Sequence, residues 1–150
     1  MKVTQLSVGI MIPGSVRARL KAVEGCEFAL ANGMKVTKVG EDEVVVEMDL
    51  HGKLNGFGTG HGGAIFALAD QAFAISCNQG EHPPVAKEVR MRYLKPARGK
   101  LRAVARQVKE DERTSLCLVS VHSEEGVVAE FEGVGYKLRQ KPKAASSNSL

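Results

Sequence analysis

From Asn55 to Asn78 the chain reads NGFGTGHGGAIFALADQAFAISCN: a glycine-rich loop runs into an almost wholly apolar segment carrying one acid, Asp70. A carboxylate in apolar surroundings is costly unless it is paired, hydrogen-bonded or protonated. Asp70 is therefore either a structural acid neutralised by a neighbour or a group placed to act as base or nucleophile. Gly62 and Gly63 fall where the apolar segment would begin as a helix. Backbone N–H groups at a helix start have no intrahelical acceptor, and the helix dipole is positive there. Glycines either permit tight packing at that point or let a ligand oxygen reach the bare backbone. A carbonyl oxygen gaining negative charge would be stabilised there. Reach sets a condition. Asp70 lies eight residues beyond Gly62, roughly 12 Å along a helix at ~1.5 Å per residue. A small reacting group cannot touch both in one copy, so an active site made from them requires two antiparallel helices in a homodimer with two symmetric composite sites.

Other readings of the same stretch fail on context. Gly58-Thr59-Gly60-His61-Gly62-Gly63 fits G-x-G-x-x-G, but a dinucleotide fingerprint needs a βαβ unit and a parallel sheet, and the segments that follow read as antiparallel. His61-Gly62-Gly63 resembles the oxyanion loop of serine esterases, yet the chain has no G-x-S-x-G nucleophile elbow. His51, His61, His82 and His122 form no H-x-x-x-H and no cysteine pair at ligand spacing, so no metal site is expected.

The flanking elements must position this segment. GSVRARLKAVEGCEFALANGMKV starts with a cap at Ser15 and ends near Asn32-Gly33, with Gly25 leaving either one helix or two short ones. In EVVVEMDL, Val44, Val46, Met48 and Leu50 share one face opposite Glu43, Glu47 and Asp49, a half-buried strand. The apolar helix runs from about Gly62 to Cys77 and is ended by Asn78, Gly80 and the Pro83-Pro84 pair. VAKEVRMRYL, LRAVARQV, TSLCLVSVHS and VVAEFEGVGYKL follow as alternating segments separated by short polar turns, which implies antiparallel strands. The order is helix, strand, long apolar helix and four strands. A helix apolar on nearly every side must be wrapped. The expected fold is α+β, a curved antiparallel sheet around one central helix.

A chain of 150 residues makes one domain. Residues 1–14 read as an extension, 15–138 as the domain, and 139–150 as a basic, polar, disordered tail. The formal charge of +4 sits in the C-terminal segment from Lys137 on, which contains no acid: setting Lys137, Arg139, Lys141 and Lys143 aside leaves 17 basic residues against 17 acidic ones. With no interleaved aromatics, the tail argues against nucleic-acid binding. Three cysteines without framework spacing point to reduced thiols in the cytoplasm. Neither a signal peptide nor a membrane span is expected.

LNGFGTGHGGAIFALADQAFAISCN, the Gly-Met-Lys-Val before the first strand and the YLKPAR strand end together resemble the hotdog-fold acyl-CoA thioesterases of the phenylacetate-degradation (PaaI-like) group. The resemblance covers most of Phe28 to Leu138. It implies a hotdog fold and hydrolysis of a CoA thioester, of aryl or phenylacetyl type among the candidates, with CoA as part of the substrate and no separate cofactor. It implies that Asp70 is the catalytic carboxylate, that the Gly62 amide polarises the carbonyl beside His61, and that Asn55 holds substrate or water. It further implies homodimers with shared sites that assemble to tetramers. Gln71 departs from the Thr or Ser common in relatives. Gly63, Phe73 and Arg98 are candidate substrate contacts. Arg98 belongs to a basic set with Arg90, Arg92, Lys95, Lys100 and Arg102 that either meets CoA phosphates or forms a solvated strand face. Plainer roles stay open: an Asn-Gly turn for Asn55, a helix-boundary residue in His61, core packing for Phe73. The competing function is a noncatalytic module binding acyl-CoA or an acyl carrier. A hydratase would want a His–Asp pair at the helix start, and none is present.

Overall fold

The computed structural model describes residues 14–138; most of the expected extension and all of the expected tail lie outside the described residues. Nine elements follow one another: α1 (Gly14–Glu24), α2 (Glu27–Ala31), β1 (Lys35–Val39), β2 (Val44–Asp49), α3 (Gly62–Cys77), β3 (Pro84–Tyr93), β4 (Lys100–Glu110), β5 (Thr114–Ser123) and β6 (Gly126–Lys137). Gly25 divides the amino-terminal helical stretch, its N–H closing on the Lys21 carbonyl at 3.0 Å. Gly33 follows α2 at φ 67°, the left-handed turn that ends a helix. The strands form one six-stranded sheet in the order β1-β2-β4-β5-β6-β3, with every neighbouring pair antiparallel.

The expectation of a single strand before the long helix is corrected, because β1 is a separate strand paired with β2. Its residues KVTKV bury little on either face at the sheet edge, and a bulge interrupts its register between Val36 and Lys38. Periodicity fades when no face is covered. In β2 the alternation holds, with Val44, Val46 and Met48 buried and Glu47 and Asp49 exposed. Val45 departs from it, being buried on the outer face beside Val104. At the other edge, β3 alternates in sequence yet is exposed over nearly its whole length, with Tyr93 54% exposed.

The sheet curves around α3. Ile65, Leu68, Ala69, Ala72 and Ile75 of the helix pack with Val44, Val46, Leu101, Ala103, Val119, Val121 and Phe131 of the sheet in one core. Val16 and Leu20 of α1 close a flank, and Arg19 reaches the end of α3. Its guanidinium donates to the carbonyls of Asn78 at 3.3 Å, Gly80 at 2.7 Å and Glu81 at 3.2 Å. A cation suits the negative end of the helix. Gln71 ties α3 to α1 by donating to the Val23 carbonyl at 2.8 Å. A buried amide that bonds a helix end accounts for the glutamine at this position without any role in a reaction.

One side of α3 is not wrapped. Gly63, Phe66, Ala67, Asp70 and Ala74 recur at helical spacing, and none of them is buried, whereas nine other residues of the helix are. The expectation of a fully enclosed helix therefore holds for three sides of it within one copy.

The helix is fitted to the sheet through an aromatic slot. Phe73 packs against Phe131 with ring centroids 5.6 Å apart, and Phe66 meets the same ring edge-on. Opposite them, a Cβ on Gly133 would fall 2.6 Å from Phe73 Cε2 and 2.9 Å from Phe131 Cε1. Gly133→Ala is expected to cost about 1–3 kcal/mol of stability, because the added Cβ would overlap two buried aromatic rings; denaturant titration of the two proteins checks it.

Candidate active site

The loop before α3 is built by Asn55. Its Oδ1 accepts from the backbone N–H groups of Phe57 at 2.9 Å and Thr59 at 3.1 Å, and its Nδ2 donates to Thr59 Oγ1 at 2.9 Å. Asn55 N–H also reaches the Thr59 carbonyl at 2.7 Å. The carboxamide is thus occupied within its own loop, the Asx turn that an Asn-Gly pair favours. Arg98 clamps the same loop, donating to the Gly58 carbonyl at 2.7 Å. Gly60 N–H meets the Ala97 carbonyl at 2.8 Å, and a Cβ there would fall 2.7 Å from Leu50 Cδ1. The segment from Lys95 to Lys100 therefore lies under the glycine loop, and its basic residues sit at the helix-start end. Among the basic residues Arg92 pairs with Glu130 and Lys95 donates to the Glu125 carbonyl.

At the helix start, His61 is the N-cap. Its carbonyl accepts from Ala64 at 2.9 Å and Ile65 at 3.1 Å, and its Nδ1 accepts from Gly63 N–H at 3.0 Å. A Cβ on Gly63 would lie 3.1 Å from that nitrogen, so glycine leaves room for the cap. Gly62 N–H has no acceptor among the described residues. One backbone donor is therefore open at the positive end of a 16-residue helix. A cavity of about 440 Å³ by Glu41, Gln79 and Glu110 lies at the opposite end of α3 and holds none of the candidate residues. A second cavity, of about 420 Å³ and widely open to solvent, adjoins the helix start and is lined by Phe28, Lys53, Leu54, His61, Gly63 and Ala67 among others.

Asp70 lies two turns further along the unwrapped side of α3. Burial raises its carboxyl above the usual carboxylate range, and no ion pair or hydrogen bond among the described residues opposes that rise. Among the described residues, every side-chain nitrogen or oxygen sealed from solvent has a partner. The unpartnered Asp70 oxygens are therefore not sealed. The structure thus offers a carboxylate that is desolvated enough to be a strengthened proton acceptor and open enough to be reached.

The helix start gathers Asn55, His61, Gly62, Gly63 and Arg98, while Asp70 stays down the helix from them. Phe73, at 3% exposed, packs in the slot formed with Phe131 and does not line the cavity at the helix start. Sequence reasoning did not single out Tyr93 for this site, although its hydroxyl donates to the Gly62 carbonyl at 2.9 Å across 31 residues. No local spacing signals a contact between a strand end and a helix start. Among the described residues no cluster of three or more potential metal ligands occurs, and no helix is long and apolar enough to cross a membrane.

The raised Asp70 carboxyl fixes the sign of a stability effect. The native state holds its proton to higher pH than the unfolded chain does, so the penalty is absent below the ordinary carboxylate range, near pH 4. It grows as pH rises through the native value. Asp70→Asn is expected to raise Tm at pH 7, with the gain vanishing toward pH 3. Thermal melts of both proteins at the two pH values check this, and a lower Tm for the variant at pH 7 would mean that Asp70 is stabilised by a partner.

Comparison with known proteins places this geometry. Residues 27–132 match a family model described as a domain of unknown function, DUF4442. The acyl-coenzyme A thioesterase PaaI of Escherichia coli (strain K12) is 32% identical over 119 residues, spanning 77% of this chain and 84% of that protein. A solved structure of a point mutant of the phenylacetic acid degradation protein PaaI from Thermus thermophilus superposes with a TM-score of 0.71 at 38% identity. It covers 74% of this chain and 98% of its own. The structure of the E. coli PaaI protein from the phenylacetic acid degradation operon gives a TM-score of 0.78 at 26% identity, covering 87% and 99%. With a sheet curved around a helix that opens on His-Gly-Gly and carries Asp70, the chain belongs to the DUF4442 family and to the PaaI-like thioesterases of the hotdog fold.

Proposed function

We propose that this protein hydrolyses acyl-CoA thioesters in a site shared between two copies of the chain. The observation that carries the reading is the pairing, on one helix, of an unpartnered, partly desolvated Asp70 with an unoccupied Gly62 N–H. The thioester carbonyl oxygen accepts from Gly62 N–H, which stabilises the negative charge that develops on attack. Asp70 takes a proton from the attacking water; its raised pKa makes it the better base. Coenzyme A leaves as a thiolate. A thiol's ordinary pKa near 8.5 makes that departure easy without a strong general acid. Asn55 and Arg98 shape the glycine loop that presents the amide, and the basic residues around Lys95 to Lys100 meet the acidic coenzyme. Aryl and phenylacetyl groups are the first acyl chains to test, since the similar Thermus protein is named for phenylacetic acid degradation and Phe28 and Leu54 line the cavity at the helix start.

Reach supports the composite site. The helix separates the two groups by roughly 12 Å, and the side of α3 that carries Asp70 is the side the sheet leaves open. Two antiparallel α3 helices packed through Gly63, Ala67 and Ala74 would bring each Asp70 toward the other copy's Gly62. The long exposed edge of β3 supports the same arrangement, because such an edge presents unpaired backbone groups to another strand. Assembly of these dimers into tetramers is the expectation that goes with the resemblance, and light scattering after size exclusion measures it.

In a thiol-release assay with phenylacetyl, hydroxybenzoyl and medium-chain CoA esters, wild type is expected to turn over at least one, and Asp70→Asn to lose at least ~10²-fold in rate while remaining folded. Absence of release from every ester would favour the noncatalytic binding module instead.

Gly62→Pro removes the open N–H at the first helical position, where proline is tolerated, and His61 at ψ 131° already has the backbone that precedes proline. Each variant alone is expected to be inactive. Random mixing with Asp70→Asn after subunit exchange should restore about a quarter of wild-type activity, because half the dimers are mixed and each holds one intact site. No recovery, despite exchange shown by mass, would place both groups of a site in one copy.

A further inference from the structure

The Gly62–Gly63 peptide unit is held from both sides. Its carbonyl accepts from the Tyr93 hydroxyl at 2.9 Å, and its N–H, that of Gly63, donates to His61 Nδ1 at 3.0 Å. The Tyr93 ring lies against the same glycine, with Cζ and the hydroxyl oxygen each 3.4 Å from where a Gly62 Cβ would be. A hydrogen bond accepted by a peptide carbonyl strengthens the N–H across the unit as a donor. The three groups thus form one chain, running from the end of the edge strand β3 through the helix start to the imidazole. The far end of that chain has a defined chemical state. Because His61 Nδ1 is occupied as an acceptor, the neutral ring carries its proton on Nε2. That nitrogen has no acceptor among the described residues, and the ring lines the 420 Å³ cavity at the helix start.

We propose that Tyr93 is a positioning residue for the thioesterase reaction. Acting through the Gly62–Gly63 peptide, it holds His61 as a neutral Nε2–H donor, so that the thioester oxygen is offered a second N–H besides that of Gly62. A neutral imidazole at a helix start is a competent electrophile toward a carbonyl. This inference rests on the thioesterase reading of the site, but the hydrogen-bond chain can be tested without it. Tyr93 supplies a hydroxyl from an exposed position and touches no reacting atom in this scheme, so its removal acts on turnover and not on binding.

Tyr93→Phe keeps the ring and removes only the donor. The expected result is a kcat lower by about 5- to 10-fold, the worth of one neutral hydrogen bond, with KM within about 2-fold of wild type and Tm unchanged. Nitrogen-15 spectra of the imidazole are expected to show the Nε2–H tautomer for His61 in wild type and a tautomer mixture in the variant. Gly63→Ala places a Cβ 3.1 Å from His61 Nδ1 and disturbs the chain at its other end. It should lower kcat similarly, and the double variant should be little worse than either single one. An unchanged kcat in Tyr93→Phe, a change confined to KM, or an Nδ1–H tautomer in wild type would each overturn the proposal. A wild type that releases thiol from no CoA ester defeats the thioesterase reading, and the catalytic half of this proposal with it. The tautomer measurement then still decides whether Tyr93 orders His61.

Discussion

An acid with no partner on an otherwise apolar helix is the constraint from which the rest of this structure can be understood. Asp70 cannot be folded deep into the core, where an unpaired carboxylate would be prohibitively costly, and it is not left in bulk water, where it would be an ordinary acid. It sits on the side of α3 that the sheet does not cover, and partial desolvation alone raises its pKa. The same placement leaves Gly63, Ala67 and Ala74 uncovered beside it. Small residues there permit close approach by another helix, so the position of the acid and the proposed pairing of two chains answer one physical requirement.

The opposite pole of the helix is organised by subtraction. Of the amide groups that a helix start exposes, Gly63 N–H is taken by His61 and Gly62 N–H is left open. Glycine at 63 also answers a steric need, since a Cβ there would crowd the His61 ring at 3.1 Å, whereas a Cβ at 62 would only touch the Tyr93 ring at 3.4 Å. The loop leading in is rigid because Asn55 satisfies its own turn and Arg98 and Ala97 hold it from below. A donor fixed in this way needs little reorganisation when charge develops opposite it, which is the condition for electrostatic stabilisation of a transition state.

Several residues acquire meaning only from their neighbours in space. Gln71, in the middle of α3, is a strut to the end of α1. Arg19, one of several cations on a short helix, binds three carbonyls beyond the end of α3. Phe73 and Gly133, 60 residues apart, are complementary halves of one slot. The edge strands β1 and β3 are the least legible elements, because burial is what imprints alternation on a strand and their faces are largely exposed.

The local sequence by itself determined the α3 boundaries, the antiparallel strands, the α+β class, and the presence of an acid and a glycine-rich helix start on one element. Each of these is written in short-range chemistry: apolar period, turn residues, and the steric and electrostatic needs of a helix terminus. Tertiary structure alone decided that Asp70 has no neutralising partner among the described residues, that Arg98 clamps the glycine loop, and that Tyr93 reaches Gly62. These facts depend on contacts between residues tens of positions apart, whose distances the folded sheet sets and no local pattern encodes.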